Sequence, residues 1–526
     1  MPSPDAPWDD RVRYAVDPAG RYFTYRPDEL IVHVDALDDL ADLVADDIVA
    51  GDVEAQDEPG GPAAGGEEQP DQQPRGEEEP DPEPPAEDVW PDAPAPQVAA
   101  QAEGERRTWQ DVAGRVGQQL EREWPFRVTR VVGPLVQVSG LEDPVFYART
   151  LRSMGHTAQV NHVAFSAALA FGSPTGMGSP TGMGSPFAPG WAYGGGCGCG
   201  WPYPQVHYCQ PIVPCPTVAP RALAPRRTTA RPSANLSQLP HLGLRRGGKR
   251  AARCRVLVID TGFGPLKKKL PPGPYRQCVG AVKGQKAGSR CEQPDGNGDD
   301  FLDPVAGHGT FISGLFGRLA PGAEVTVVKR MGTFGDIDDA DAARAIVRAK
   351  GGTSKRDQLI VTMSFRGYTE DDGPPLALSA AILARTGPHV AFVASAGNDA
   401  SCRPTWPACL GDVIGVGALG VDGPAPFTNY GPHVEACAPG VDIVSTFLFG
   451  LDPGRAKQTA NPASDLADFG GWVAWSGTSF SAPIVATELA WEVLRTGAPL
   501  RRIVDRTIRA EGLTRIAGLG TIVNVC

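Results

Sequence analysis

Five short and almost uninterrupted apolar segments constrain the fold more than any other feature of this sequence. The first is CRVLVID, which starts at residue 254, and the last is DVIGVGAL, which starts at residue 412. Such segments are typical of parallel strands covered on both faces, and helical patterns such as LALSAAILART separate them. Residues 250 to 526 are therefore predicted to form an α/β domain with a doubly wound, mostly parallel sheet. Its active crevice should lie at the carboxyl ends of the strands.

The preceding half of the chain changes composition several times and predicts one small domain interrupted by unpacked tracts. The 526 residues include 64 glycines and 52 prolines, which indicates that part of the chain does not pack into a core. Residues 1–50 and 105–166 carry strand and helix patterns in the order of a split βαβ sandwich, an α+β unit. Residues 51–104 are predicted to be an acidic disordered insert, and residues 167–249 a Gly-, Pro- and Cys-rich linker.

The overall charge narrows the classes of partner. A net charge of −12 without a clustered basic face argues against nucleic acid and suits a protein or peptide substrate. The first 20 residues lack the basic start and apolar run of a secretory leader, and no run of about 18 apolar residues could span a bilayer. We therefore expect a soluble, monomeric, cytoplasmic protein without a membrane partner. Export by an unrecognised route is the alternative.

The expected compartment also predicts the oxidation state of the cysteines. Without a leader, the 11 cysteines are expected to be reduced thiols. Cys402 and Cys409 bracket a short loop, as do Cys278 and Cys291, and a disulfide could close either loop if the protein were exported.

Three residues that suit nucleophilic catalysis stand at the ends or starts of predicted elements. Asp260 ends the first strand, His308 lies in AGHGTF before a helical run, and Ser479 lies in SGTSFSAP at the start of a long helix. Each alone has a simpler interpretation: a turn residue, a core histidine with its hydrogen bonds satisfied, and a helix cap. Together they follow the chain order Asp, His, Ser of one known version of the catalytic triad.

Three further motifs extend this pattern. They are ASAGND at 394–399, FTNYGPHVEACAPG at 427–440 and VTMSFRG at 361–367. With them, residues 250 to 526 resemble the subtilisin-like (subtilase, peptidase S8) serine protease family. The resemblance implies a subtilisin-like fold and a serine endopeptidase that hydrolyses peptide bonds through an acyl-enzyme. The alternative is a catalytically silent subtilase-fold scaffold for interactions, against which the intact set of site residues argues.

The resemblance also implies roles for individual residues. His308 would act as general base toward Ser479, while Asp260 would orient the imidazole and stabilise its cation. The side-chain amide of Asn398 and the backbone N–H of Ser479 would form the oxyanion hole. The implied substrate-binding residues are Ser364, Phe365, Arg366, Gly367 and Gly397. This chemistry requires no cofactor.

Two acidic segments suggest further binding sites. Asp336 and Asp338 lie in a segment that resembles the border of the family's substrate subsites, and they would favour Lys or Arg upstream of the cut. A solvated helix N terminus is the alternative. Asp295, Asn297 and Asp299 alternate like the first ligands of a structural calcium loop, although the glutamate that completes an EF-hand loop is absent. An ordinary acidic turn is the alternative there.

The N-terminal α+β unit gains a meaning from the resemblance. It is similar to the inhibitory prodomain of the family, with the acidic tract as an insertion within it. The chain would then be made as a zymogen and cut in the linker, near the basic run LRRGGKRAAR that starts at residue 244. The alternative is a unit that never leaves and binds a partner.

Overall fold

The structure is a computed structural model that describes ten parts of the chain. They are residues 12–54, 116–166, 250–264, 274–280, 282, 292, 303, 305–332, 335–449 and 470–523. Most of the predicted acidic insert and the whole predicted linker lie outside these residues, as do Asp295, Asn297 and Asp299.

The described N-terminal residues form an antiparallel sheet covered by helices. The strand order is β5-β2-β4-β3, and β1 pairs with the start of β2. Its core combines alternate strand residues such as Leu30, Val32 and Val136 with Leu151 from a helix. The elements are β1 (Arg13–Val16), β2 (Tyr22–His33), α1 (Leu37–Glu54), β3 (Arg127–Val132), β4 (Leu135–Ser139), α2 (Pro144–Ser153) and β5 (Ala158–Ser166).

The sequence predicts most of this N-terminal unit but not its first helix. The strands at β2 to β5 and the helix α2 match the alternating and helical patterns. Helix α1 was not expected and runs to Glu54, past residue 51, where the acidic insert was predicted to begin. Leu37 and Leu40 are fully buried against the sheet, so a few apolar residues anchor a helix whose acidic composition conceals it.

Eight described strands from the second half of the chain form the central sheet. Their order is β16-β17-β13-β12-β11-β9-β6-β7, and the pairs are parallel except for β16 with β17. The five predicted apolar segments are five of these strands. The members are β6 (Arg253–Asp260), β7 (Glu324–Lys329), β9 (Asp357–Met363), β11 (Val390–Ser395), β12 (Val413–Leu419), β13 (Val434–Pro439), β16 (Arg515–Ile516) and β17 (Gly520–Ile522).

Helices cover both faces of this sheet, which confirms the predicted α/β class. On one face Val256 and Val258 of β6 pack against helices α4 and α7, and on the other Leu257 and Ile259 pack against α5 and α6. Burial on both faces explains why the strands are apolar throughout. The helices are α3 (Pro274–Val279), α4 (His308–Leu319), α5 (Asp339–Val347), α6 (Leu376–Arg385), α7 (Thr478–Thr496) and α8 (Leu500–Val504).

Strand β5 joins the two halves of the described structure. It leaves the N-terminal sheet and pairs antiparallel with two short strands, β8 (Asp336–Asp338) and β10 (Phe365–Arg366). A separate hairpin consists of β14 (Ile443–Phe449) and β15 (Gly470–Trp475). Within the described ranges, none of the helices combines the length and apolar character needed to cross a bilayer.

Candidate active site

Asp260 and His308 form a buried pair at the carboxyl end of the sheet. Asp260 is the last residue of β6 and His308 the first of α4, and neither side chain is exposed. Nδ1 of His308 lies 2.8 and 2.9 Å from the two carboxylate oxygens of Asp260. Gly309 allows this approach, because a Cβ there would lie 2.1 Å from the carbonyl oxygen of Gly262. The carboxylate therefore orients the imidazole, with Nε2 directed away from it.

Ser479 lies in the first turn of α7, beside the histidine. The ring of the next residue, Phe480, is 5.5 Å from the ring of His308. The Ser479 hydroxyl donates a hydrogen bond to the carbonyl oxygen of Ser364 at 3.0 Å. Nε2 of His308 is 3.3 Å from the hydroxyl of Ser166, at the end of β5. The N-terminal unit thus occupies the position on the imidazole where the sequence predicts Ser479.

Asn398 is held against the start of the same helix. Its side-chain oxygen accepts hydrogen bonds from the backbone N–H of Thr478 at 3.0 Å and from the Thr478 hydroxyl at 2.9 Å. The backbone N–H of Gly397 donates to the same hydroxyl at 3.2 Å. These bonds fix the amide plane next to Ser479, at the positive end of the α7 dipole.

Strands β8 and β10 form the two walls of a cleft that β5 fills. The N–H of Ser166 donates to the carbonyl oxygen of Gly335 at 2.8 Å, and Ser166 lies opposite Phe365 in the register. Gly367 permits the close approach of the two chains, since a Cβ there would lie 3.1 Å from Ala164. An extended segment is therefore bound in the cleft by main-chain hydrogen bonds, which is how a peptide adds to a sheet edge.

Arg366 lies on the wall of this cleft and is neutralised there. Its side chain is 5% exposed, and a guanidinium nitrogen lies 2.5 Å from a carboxylate oxygen of Asp399. The Tyr368 hydroxyl donates to the other oxygen of Asp399 at 3.0 Å. A Cβ on Gly397 would lie 3.2 Å from the Arg366 side chain, so these residues line one compartment. The compartment contains a buried ion pair where the sequence led us to expect substrate-binding residues.

Comparison with known proteins identifies the second half of the chain. The sequence model of the family described as the subtilase family matches residues 253–497. These matched residues, a little under half of the chain, are similar to the subtilase family. The subtilase domain thus includes Asp260, His308, Asn398 and Ser479.

Individual relatives are distant. The chain is 28% identical over 243 residues to the subtilisin-like serine protease Rho m 2.0101 of Rhodotorula mucilaginosa, a match that covers 44% of this chain and 60% of the relative. It is 25% identical over 282 residues to Subtilisin BL of Lederbergia lenta, covering 51% and 88% respectively. A cold adapted subtilisin-like serine proteinase of known structure is 18% identical with a TM-score of 0.37, covering 54% and 94%. The chain therefore spans less than two thirds of the Rhodotorula relative.

The acidic residues on the other wall of the cleft contact the N-terminal unit. Arg26 of β2 lies 3.1 Å from Asp336 and 3.3 Å from Asp338. Asp338 also caps α5, because its carboxylate accepts the N–H of Asp341 at 2.9 Å. Asp336 is 2% exposed, so the solvated helix terminus considered as an alternative does not describe it. These two carboxylates lie where a cation of the N-terminal unit reaches them.

The subtilase domain contains one further acidic residue near Asp260 and His308 that sequence reasoning missed. Glu292 is 1% exposed and accepts a hydrogen bond from the hydroxyl of Thr261, the residue after Asp260, at 2.6 Å. It belongs to no motif in the sequence, and a single glutamate in a loop carries no periodic signal. Only its burial beside Asp260 distinguishes it.

The predicted metal and disulfide sites have different outcomes. The proposed calcium ligands cannot be placed, since they lie outside the described residues, and in the described ranges no three acidic, histidine or cysteine side chains cluster as metal ligands. Cys402 and Cys409 are not joined by a disulfide. Cys278 is also unbridged, and Cys291 lies outside the described residues.

Proposed function

We propose that this protein is a serine endopeptidase that hydrolyses peptide bonds through an acyl-enzyme. The observation that carries the proposal is the buried Asp260–His308 pair at the start of α4, beside the helix start that bears Ser479. The relatives described above are named as proteases, which agrees with the proposal. The catalytically silent scaffold is disfavoured, because a scaffold has no need to bury a histidine against a carboxylate at a cleft.

The proposed mechanism gives each of the four site residues a defined role. His308 accepts the proton of Ser479 as the hydroxyl attacks the peptide carbonyl, and then donates it to the leaving amine. Asp260 stabilises the imidazolium formed between these steps. The amide of Asn398 and the N–H of Ser479 donate to the oxyanion. Water then hydrolyses the acyl-enzyme by the same proton transfers in reverse order.

We further propose that the N-terminal unit is an inhibitory prodomain and that the chain is a zymogen. Strand β5 fills the cleft between β8 and β10, and Ser166 occupies Nε2 of His308. While this contact persists, His308 cannot accept a proton from Ser479, whose hydroxyl is bonded to Ser364. Removal of β5 would free the imidazole, and a rotation of the serine side chain would complete the triad.

The N-terminal unit also stabilises two helices of the subtilase domain. Asn161 of β5 accepts the N–H of Ala340 in the first turn of α5 at 3.2 Å. Gln159 accepts the N–H of Leu376, the first residue of α6, at 2.9 Å. Helix N termini carry N–H groups without intrahelical partners, so these contacts satisfy donors that would otherwise need water. Such capping supports a folding role for the unit as well as an inhibitory one.

The contact of Arg26 with Asp336 and Asp338 supports a substrate preference. We propose that substrates with Arg or Lys upstream of the cut are favoured, because a cation already occupies this acidic pair while the N-terminal unit is bound. A peptide library would show higher kcat/KM for basic residues at these upstream positions. Equal rates for neutral and basic peptides would refute the preference.

Covalent labelling of the serine tests the proposed activity. The full-length protein would be incubated, exposed to a fluorophosphonate probe and analysed by N-terminal sequencing. We expect labelling to rise as the chain is cut between residues 167 and 249, the segment that follows the strand in the cleft. The Ser479→Ala variant should show neither labelling nor processing. Absence of labelling in intact and processed wild type, with a labelled control subtilase, would favour the scaffold.

A further inference from the structure

Glu292 is a buried carboxylate that the proposed mechanism does not use. One of its carboxylate oxygens accepts the hydroxyl proton of Thr261 at 2.6 Å and also the backbone N–H of Gly307. The other lies 3.1 Å from the hydroxyl of Thr310. Burying a carboxylate away from water is unfavourable unless hydrogen-bond donors surround it. The three donors therefore stabilise the Glu292 carboxylate in this position.

The donors on Glu292 flank both members of the catalytic pair. Thr261 follows Asp260 at the end of β6, and Gly307 precedes His308 at the start of α4. The strand and the helix are distant in sequence, and the carboxylate bridges them from one side. The N–H of Gly309 reinforces this bridge by donating to the Thr261 hydroxyl at 3.1 Å. Movement of Glu292 would therefore shift Asp260 and His308 relative to each other.

The Thr261 hydroxyl also connects the two carboxylates chemically. It lies 2.6 Å from Glu292 and 3.2 Å from Asp260, and its single proton can be donated to only one of them. An ionised Glu292 attracts that proton. A protonated Glu292 can donate its own proton to Thr261, whose hydroxyl then turns to Asp260. An extra hydrogen bond on Asp260 weakens its stabilisation of the imidazolium.

The charge of Glu292 changes near neutral pH. Burial raises the pKa of Glu292 to about 7, the charge of Asp260 acts in the same direction, and the donors Thr261, Gly307 and Thr310 oppose it. Burial raises the pKa of Tyr275 in α3, and the charge of the Glu292 carboxylate acts in the same direction. Among the described residues, the charge that acts on Glu292 is that of Asp260, and His308 lies next to its partner Gly307.

We propose that Glu292 is a positioning residue for the Asp260–His308 pair, acting through Thr261 and Gly307. The proposal rests on the proposed peptidase function. Ionised Glu292 keeps the Thr261 proton away from Asp260 and adds negative charge near the imidazolium. Protonated Glu292 reverses both effects. Catalysis thus depends on the charge of Glu292 as well as on the imidazole that accepts the Ser479 proton.

Two variants separate the charge of Glu292 from its place in the structure. Glu292→Gln keeps an oxygen for Thr261 and Gly307, while its amide can donate to Thr310, whose proton then goes to the carbonyl of Gly264, 3.2 Å away. Thr261→Val keeps the shape of the side chain and removes the hydroxyl link. Neither variant opens a large cavity, so both should fold, which thermal melting would verify.

The test is the pH dependence of kcat/KM for a peptide substrate, measured on chains processed as the wild type is. On the acid side, kcat/KM of the wild type should fall more steeply with pH than a single ionisation would produce. Glu292→Gln should show a less steep acid limb than the wild type, and Thr261→Val, which retains the Glu292 charge, an intermediate one. Both variants should lose on the order of tenfold in kcat with little change in KM, the effect of losing one charge-assisted hydrogen bond. Variant profiles that superimpose on that of the wild type would overturn the proposal.

Glu492→Gln is the matched control. Glu492 lies toward the far end of α7, where it pairs with Arg495 and Arg506. The same chemical change there should affect thermal stability and leave the shape of the pH profile unaltered. A profile altered by Glu492→Gln as by Glu292→Gln would also overturn the proposal. Wild-type protein that no fluorophosphonate labels at any pH would instead refute the underlying peptidase function.

Discussion

The proposed catalytic centre and the contact of the N-terminal unit with the subtilase domain bury carboxylates by different means. In the catalytic centre, Asp260 and Glu292 are surrounded by hydrogen-bond donors of their own domain. At the contact, Glu370 of the subtilase domain is 2% exposed and paired with Arg149 and Arg152 of α2, at 2.7 Å each. The first arrangement is complete within one domain, whereas the second depends on both units.

This difference indicates that the contact between the two units is suited to separation. Charges paired across two units regain water on both sides when the units part, so their burial is reversible. Arg21 repeats the arrangement, since it lies 3.0 Å from Asp372 of the subtilase domain. Hydrogen bonds inside one domain have no such exchange. The proposed catalytic centre is therefore complete within one domain and the contact depends on both units, as the proposed zymogen would require.

Removal of the nucleophile should have the largest effect and should leave the contact intact. Ser479→Ala is expected to lower kcat by about a millionfold, because no other hydroxyl can form the acyl-enzyme. Residual hydrolysis in a purified sample measures this loss. The variant should retain the melting temperature of the unprocessed wild type, since its lost hydrogen bond to Ser364 is small beside the whole contact. A large fall in stability would contradict the separation of chemistry and contact.

Loss of the oxyanion donor should have the next largest effect. Asn398→Ala is expected to cost roughly 3 to 4 kcal/mol of transition-state stabilisation, or about 100- to 1000-fold in kcat, with KM little changed. Single-turnover kinetics on processed protein provides the measurement. The Thr478 groups that now donate to Asn398 can turn to water in this variant. A rise in KM alone would show that Asn398 serves binding and not the transition state.

Breaking the ion pairs of the contact should act on release and leave the chemistry unchanged. The double change Arg149→Ala and Arg152→Ala strands Glu370 in a buried position, at a cost of about 2 to 4 kcal/mol. Full-length protein should then accept fluorophosphonate earlier than the wild type, while processed protein keeps its kcat. Arg122→Ala is the control, since Arg122 pairs with exposed Asp38 inside the N-terminal unit. Equal acceleration by this control would refute the special role of Glu370.

The smallest expected effect is a shift in the pH dependence of release. Burial, with a smaller effect of Arg152, lowers the pKa of His162 to about 3, so its contribution to the contact is lost as pH falls from about 6.5 toward 3. Burial raises the pKa of Glu29 to about 7. The contribution of Glu29 to the stability of the contact is therefore present below about pH 4.5 and is lost as pH rises through 7. The two oppose each other at mildly acidic pH.

His162→Gln should expose the contribution of Glu29. Gln can still accept the N–H of Glu370 that His162 now accepts at 3.1 Å, without taking up a proton. The variant should therefore release its N-terminal unit more slowly as pH falls from 7 to 5, by up to about tenfold per pH unit relative to the wild type. Labelling rates of full-length protein across this range measure the effect. Parallel pH profiles for both proteins would exclude His162.

Sequence alone determined the class of the fold and the identity of the residues predicted to carry the chemistry. Strands buried on both faces must be apolar along their whole length, and residues such as Asp260 and Ser479 stand at element ends with glycine nearby. Local patterns of this kind can be recognised in the sequence alone. The helix α1 was not predicted, although Leu37, Leu40 and Val44 recur at helical spacing and pack against the N-terminal sheet.

Tertiary structure decided everything that depends on residues distant in the chain. The contact of Ser166 with His308, the ion pair of Arg366 with Asp399 and the place of Glu292 beside Asp260 have no sequence signal. Burial and hydrogen bonding of a side chain depend on which elements pack around it, and packing joins elements that the sequence separates. The sequence therefore indicates a protease chemistry, while the three-dimensional packing shows what occupies the cleft.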